Sequence, residues 1–170
     1  MMEPFELNAL AFQEPWRLWT GHLAHFGARH ALLNLAALGV PWLLADRQGR
    51  RRLALALLLA APLLGLGILG QIEDGTYRGA SGLACLAWAM TGAALAAQPG
   101  SRTPGLLMLG TLTLKIAAEC TFGAAFSRPG LGWEPLPAAH AMGAGLGLLG
   151  WAAFRHLDGL PGPEAGAAHP

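Results

Sequence analysis

Long apolar runs separated by short charged loops are the feature that most restricts how this chain can fold. Hydrophobic residues make up 54% of the 170 residues and charged residues only 12%. A soluble domain of this size cannot bury so much apolar surface in a single core. The sequence therefore predicts an all-α membrane protein built as one domain, since a polytopic bundle hides apolar side chains in lipid.

Five segments are apolar and long enough to be predicted as transmembrane helices. They cover residues 28–45, 53–70, 79–97, 104–126 and 136–154. Residues 1–27 mix aromatic and charged side chains, which is typical of a segment lying at the membrane interface. Residues 157–170 are rich in Pro, Gly and Ala and are predicted to form a disordered cytoplasmic tail. The transmembrane domain is thus predicted over residues 1–156.

Arginines set the predicted orientation, because basic loops stay in the cytoplasm. Four arginines fall within residues 46–52, whereas the next loop, residues 71–78, is acidic on balance. Arg102 and Arg155 lie on the same predicted side as the four arginines. We therefore expect three segments on the outer side: the acidic loop, the N-terminal segment and residues 127–135. Residues 127–135 contain Gly and Pro and are suited to move as a lid.

Four polar residues lie at one predicted depth, close to the outer ends of the spans. His30 and Asn34 are four residues apart and share one face of the first span. Ser81 begins the third span, and His140 lies about one turn below the outer end of the fifth. Placing a polar group inside a bilayer costs free energy, so four polar residues at the same depth predict a shared functional site.

Acyl transfer is the chemistry that these four residues fit. A neutral histidine activates a serine by taking its proton. The backbone N–H at Ser81, the His30 imidazole and the Asn34 amide are candidate donors to the oxyanion of the tetrahedral intermediate. No acid stands behind His140 in the sequence, so the pattern predicts a Ser–His dyad rather than a triad.

Glycines surround both candidate catalytic residues. Gly79 and Gly82 flank Ser81, which favours a tight entry into the helix and close approach of a substrate backbone. Gly143 and Gly147 form a small-residue stripe below His140. Such a stripe lets two helices pack closely, so it predicts that His140 comes within hydrogen-bond reach of Ser81.

These motifs resemble those of the rhomboid intramembrane serine proteases, over roughly residues 15–151. The Trp16-Arg17 pair and the histidines that follow it are similar to the first-loop signature of that family, in which His25 would be structural. Residues 79–82, Gly-Ala-Ser-Gly, resemble the nucleophile motif, and Ala139-His140 resembles the base motif. The resemblance implies a site with Ser81 as nucleophile, His140 as base, and His30, Asn34 and Gly79 binding the oxyanion and the substrate.

Within that family, the short chain and the string of residues 77–82 are most similar to the rhombosortases. This implies a serine endopeptidase that cleaves a C-terminal Gly-Gly-containing anchor segment from membrane-anchored exported proteins, without a cofactor. It also implies a bacterial inner-membrane protein with its active site toward the periplasm. Rhomboids carry a full span before the Trp-Arg loop, and 15 residues precede Trp16 here. We therefore expect a rhomboid-like bundle of five transmembrane helices in this chain, with the family's first helix either missing or encoded upstream of a start codon placed too late.

Other interpretations are weaker but distinct. Lys115 and Glu119 are four residues apart in the fourth span, and this spacing favours mutual neutralisation of their charges. The sharper hypothesis is that Glu119 contacts the substrate. A non-catalytic rhomboid-like protein that binds membrane helices would not need Ser81 and His140.

The histidines lack an HExxH pattern, so no metal site is predicted, and neither a haem protein nor a transporter is favoured. The net charge of +1 disfavours a nucleic-acid partner. No oligomeric state is predicted.

Overall fold

Helices dominate because the apolar runs are rich in Ala and Leu and poor in β-branched residues. The computed structural model describes residues 3–72, 75–123 and 135–159, and these residues contain helices and no β-strand. The α-helices are α1 (Arg17–Thr20), α2 (Ala28–Leu44), α3 (Arg47–Leu69), α4 (Ser81–Ala96), α5 (Arg102–Phe122) and α6 (Pro137–Leu157). Short 3-10 helices cover Glu3–Phe5, Ala9–Phe12 and Pro99–Ser101. The all-α prediction is confirmed.

The arginine-rich residues differ from the predicted loop. They form the first turns of α3, which begins at Arg47 rather than near Leu53. The cause is Asp46, whose carboxylate accepts a hydrogen bond from the Gly49 N–H at 2.6 Å and caps the helix. Helix α6 likewise runs to Leu157, beyond its predicted end. The rest of the predicted tail, from residue 160 onward, and most of the predicted lid lie outside the described residues.

Helix α4 is the central helix of the bundle. Most of its residues are buried, and many of them are Gly or Ala, so neighbouring helices can approach its backbone closely. Helices α5 and α6 pack along it, and α2 and α3 complete the surroundings. At about 1.5 Å per residue, its 16 residues extend about 24 Å. A helix that short reaches only part of the way across a bilayer, and its first residue, Ser81, lies at the edge of an internal cavity.

The N-terminal segment is tied to the loop that leads into α4. Leu7 is fully buried, and its backbone exchanges two hydrogen bonds with that of Tyr77, at 3.1 and 2.8 Å. The Glu6 carboxylate accepts a hydrogen bond from Arg78 Nε at 2.6 Å, and the Glu6 carbonyl accepts one from the buried Arg17 guanidinium. These contacts fix the backbone a few residues before Ser81.

Many large apolar side chains point outward from the helices. Leucines of α2, α3, α5 and α6 are more than half exposed, including Leu43, Leu58, Leu114 and Leu149. Two helical stretches among the described residues, Arg47–Leu69 and Pro99–Phe122, are long and apolar enough to cross a bilayer. Outward leucines suit a lipid environment, whereas the count of five spans stays a prediction.

Candidate active site

A cavity of about 670 Å³ opens at the end of the bundle where α2, α4 and α6 begin and α5 ends. Its walls are largely apolar, with a few convergent polar groups, as in many binding sites. The polar residues that line the cavity include every side chain that the sequence predicted for the site, and these side chains come from four helices. Those residues are Ser81, His140, His30, Asn34, Lys115 and Glu119.

The backbones of α4 and α6 are in contact next to the two candidate catalytic residues. A methyl group on Gly143 would overlap the carbonyl oxygen of Gly82, and one on Gly82 would lie 3.0 Å from the Ala139 carbonyl oxygen. The close packing predicted from the glycine stripe is therefore present. Ser81 and His140 are each adjacent in sequence to a residue of this contact, so the packing of the two helices brings both side chains to the same cavity.

His30 and Asn34 lie one turn apart on α2 and face the turn before Ser81. Gly79 in that turn has φ of +133°, and a methyl group there would lie 2.8 Å from His30 Cε1 and 3.5 Å from Asn34 Nδ2. Only glycine fits this combination of backbone angle and space. The Gly79 N–H donates to the Gly21 carbonyl at 3.0 Å, so Gly79 contributes a close backbone approach rather than a free donor.

The hydrogen-bond partners of His30 indicate which ring nitrogen carries the hydrogen. Its Nδ1 accepts from the Phe26 N–H at 3.5 Å, which leaves the hydrogen on Nε2. The His30 ring stacks on Phe26 and meets His25 edge-on. Arg78 in turn lies over the Phe26 ring, 5.3 Å from its centroid. His30 is thus held as an N–H donor by residues of the first segment.

His140 has two charged neighbours on α5. Its Nδ1 lies 2.6 Å from Glu119 Oε2 and 3.0 Å from Lys115 Nζ. Lys115 also donates to Glu119 Oε1 at 2.7 Å. The sequence placed no acid behind His140, and the structure places one there. Among the described residues no hydrogen bond joins Ser81 to His140, whose Nε2 is the ring nitrogen left for the serine.

Tyr77 and His22 are residues of this region that sequence reasoning missed. Tyr77 lines the cavity, and burial raises its pKa to about 12, so its phenol stays neutral; the Ser81 side chain interacts with it. His22 donates from Nε2 to the Ala61 carbonyl at 3.0 Å and meets the Tyr77 ring edge-on. The sequence feature that could have identified Tyr77 is its position four residues before Ser81.

Comparison with protein families matches residues 13–156, most of the chain, to the Rhomboid domain. No curated protein matches the chain.

Proposed function

Because the chain belongs to the rhomboid family of intramembrane serine proteases, we propose that it hydrolyses a peptide bond in or near a transmembrane segment of a membrane-anchored protein. Proteins of this family are integral membrane proteins that act on membrane-protein substrates within the bilayer. The observation that carries the proposal is the convergence of Ser81, His140, His30 and Asn34 on one cavity.

The proposed reaction uses Ser81 as nucleophile and His140 as general base. As the Ser81 oxygen bonds to the scissile carbonyl carbon, His140 Nε2 takes the hydroxyl proton. The same imidazolium then protonates the leaving amine as the peptide bond breaks. Water, activated by the neutral His140, attacks the acyl-enzyme and releases the second product with free Ser81.

The oxyanion of each tetrahedral intermediate would be stabilised from α2. His30 Nε2 carries a hydrogen, and Asn34 has a second N–H besides the one that donates to the His30 carbonyl at 3.1 Å. Both groups border the Gly79 backbone. Removing one such donor typically costs about 10²–10³ in kcat.

The cavity walls suggest how a substrate helix would enter. Leu33 and Ala37 of α2 line one side, and Thr111 and Leu112 of α5 line the other, with Trp88 between them. Apolar walls on two lipid-facing helices suit lateral entry of a transmembrane segment from the bilayer. We therefore propose that substrates pass between α2 and α5 and unwind beside Ser81.

The finer assignment to a rhombosortase-like protease rests on the string of residues 77–82. It predicts substrates whose C-terminal anchor contains Gly-Gly, processed on the periplasmic side of a bacterial inner membrane. The arrangement of charges supports this orientation. Arg52, in the arginine-rich turns of α3, forms an ion pair with Asp158 after α6, at the end of the bundle opposite the cavity.

A fluorophosphonate probe tests the proposal directly in detergent-solubilised or membrane-embedded protein. Wild-type protein should be labelled, Ser81→Ala should not, and His140→Ala should be labelled far more slowly. Ser101→Ala is the matched control, because Ser101 lies at the far end of α4 and bonds only to backbone and side-chain oxygens there. Equal labelling of wild type and Ser81→Ala would refute hydrolysis by Ser81. It would favour the non-catalytic alternative, a protein that binds membrane helices.

A further inference from the structure

A buried carboxylate, an imidazole and an ammonium meet at the Nδ1 atom of His140, on the wall of the same cavity. Glu119 is 5% exposed and His140 is 3% exposed. Both oxygens of Glu119 are engaged, Oε2 with His140 Nδ1 at 2.6 Å and Oε1 with Lys115 Nζ at 2.7 Å. The proposed reaction uses His140 but assigns no step to Glu119 or Lys115, and a buried charge needs a compensating partner.

The geometry decides which nitrogen of His140 carries the hydrogen. An ionised carboxylate only accepts hydrogen bonds, so Nδ1 must donate to Glu119, which leaves a lone pair on Nε2. If Nδ1 instead accepted from Lys115, the hydrogen would sit on Nε2 and the ring could not act as a base there. The shorter distance to Glu119, 2.6 against 3.0 Å, favours the first arrangement.

The two charges of the cluster differ in their exposure to solvent. The Glu119 side chain is 6% exposed, whereas that of Lys115 is 42% exposed. The two charges act on His140 in opposite directions, so the support that Glu119 gives is the directed hydrogen bond with Nδ1 at 2.6 Å. That hydrogen bond persists in the imidazolium that forms when His140 takes the Ser81 proton.

On these contacts we propose that Glu119 is a positioning residue, which holds His140 in the tautomer and orientation of a general base while Lys115 pairs with the second carboxylate oxygen. The inference rests on the proposed function, and it adds a third member to the Ser81–His140 pair. It differs from the prediction that Glu119 contacts the substrate, since each carboxylate oxygen already pairs with a neighbouring side chain.

The test compares Glu119→Gln, Glu119→Asp and wild type in two assays. One assay follows the rate of fluorophosphonate labelling at Ser81. The other measures kcat and KM with a quenched fluorogenic peptide that carries Gly-Gly at one end of an apolar helix of about 20 residues. Cys120→Ala is the control, since Cys120 is the next residue of α5 and is exposed.

We expect Glu119→Gln to lower kcat and the labelling rate by roughly 10²–10⁴-fold with KM little changed, as for other general-base supports. Glu119→Asp keeps the carboxylate and should recover part of the loss. A purely structural role would instead change the folded yield and leave the activity per folded molecule intact.

Lys115 provides a second variant that guards against loss of folding. Lys115→Met with Glu119→Gln removes both charges, so no unpaired charge is buried and the bundle is expected to fold. The double variant should be as slow as Glu119→Gln alone, because the two residues act as one unit. A double variant that folds and retains wild-type kcat would overturn the inference.

Three further results would also separate the hypotheses. If Glu119→Gln alters KM or sequence selectivity while kcat holds, Glu119 contacts substrate and the positioning role is wrong. If Ser81→Ala keeps full activity, the proposed function itself fails. If Ser81→Ala is inactive and Glu119→Gln is fully active, only the positioning role fails.

Discussion

Gly143 of α6 packs directly against the carbonyl oxygen of Gly82 in α4, with no room for a methyl group between them. The separation of these two helices is therefore set by the absence of a side chain at this level of the bundle. Since Gly82 follows Ser81 and Gly143 lies one turn after His140, the same contact sets how close the two candidate catalytic side chains can come.

Gly143→Ala should push α6 away from α4 and lower the rate of fluorophosphonate labelling by at least about tenfold, since an ångström of misplacement costs up to about 10²-fold. Overpacking of this kind costs about 1–3 kcal/mol of stability, which a thermal unfolding assay measures. Gly145→Ala is the matched control, because nothing lies within 4 Å of a methyl group there. Equal effects of the two substitutions would contradict the packing argument.

Asn34→Ala should lower kcat by about 10²–10³-fold, because one donor to the oxyanion is lost. KM should change little, since that contact strengthens mainly in the transition state. The measurement is steady-state cleavage of the fluorogenic transmembrane peptide. Asn8→Ala serves as the comparison, as Asn8 only caps a 3-10 helix in the N-terminal segment. A loss confined to KM would remove Asn34 from the oxyanion site.

Glu6→Gln should loosen the turn before Ser81, because Glu6 forms a largely buried ion pair with Arg78. The cost should be about 1–3 kcal/mol, less than for a fully buried pair, since a quarter of the Arg78 side chain is exposed. A double-mutant cycle with Arg78→Gln, followed by thermal unfolding, measures the coupling. Strict additivity of the two substitutions would show that the pair contributes nothing.

His22 should make the fold sensitive to acid. Burial lowers the pKa of His22 below its ordinary value of 6.5, and Nδ1 has no hydrogen-bond partner in the described structure. The unfolded chain binds a proton as the pH falls through 6.5 while the folded chain does not, so stability is full above 6.5 and declines below it.

This sensitivity is measured as the change in unfolding temperature between pH 7.5 and 5.5. His22→Gln should show a smaller change than wild type, although it lowers stability at pH 7.5. His156→Gln is the control, because His156 is exposed at the end of α6. An unaltered pH response in His22→Gln would assign the acid sensitivity to other groups.

The grouping of the site residues at one end of the bundle could be predicted from the sequence, because helices joined by short loops alternate in direction. Ser81 and His140 are examples, since Ser81 begins one helix and His140 lies in the first turn of another. Membership of the rhomboid family was likewise readable from short motifs. The true start of α3 was not, because a cap at Asp46 made the arginine-rich residues helical.

Only the tertiary structure decided how each helix is rotated about its own axis. Lys115 and Glu119 share one face of α5 in any helix, but the pattern cannot say whether that face meets lipid, substrate or another helix. The hydropathy of α5 is nearly even around its circumference, so its rotation comes from the close packing of Gly92 of α4 and Gly105 of α5 rather than from an apolar stripe. That packing turns Glu119 toward His140, and a contact between residues on two different helices is not encoded in either segment alone.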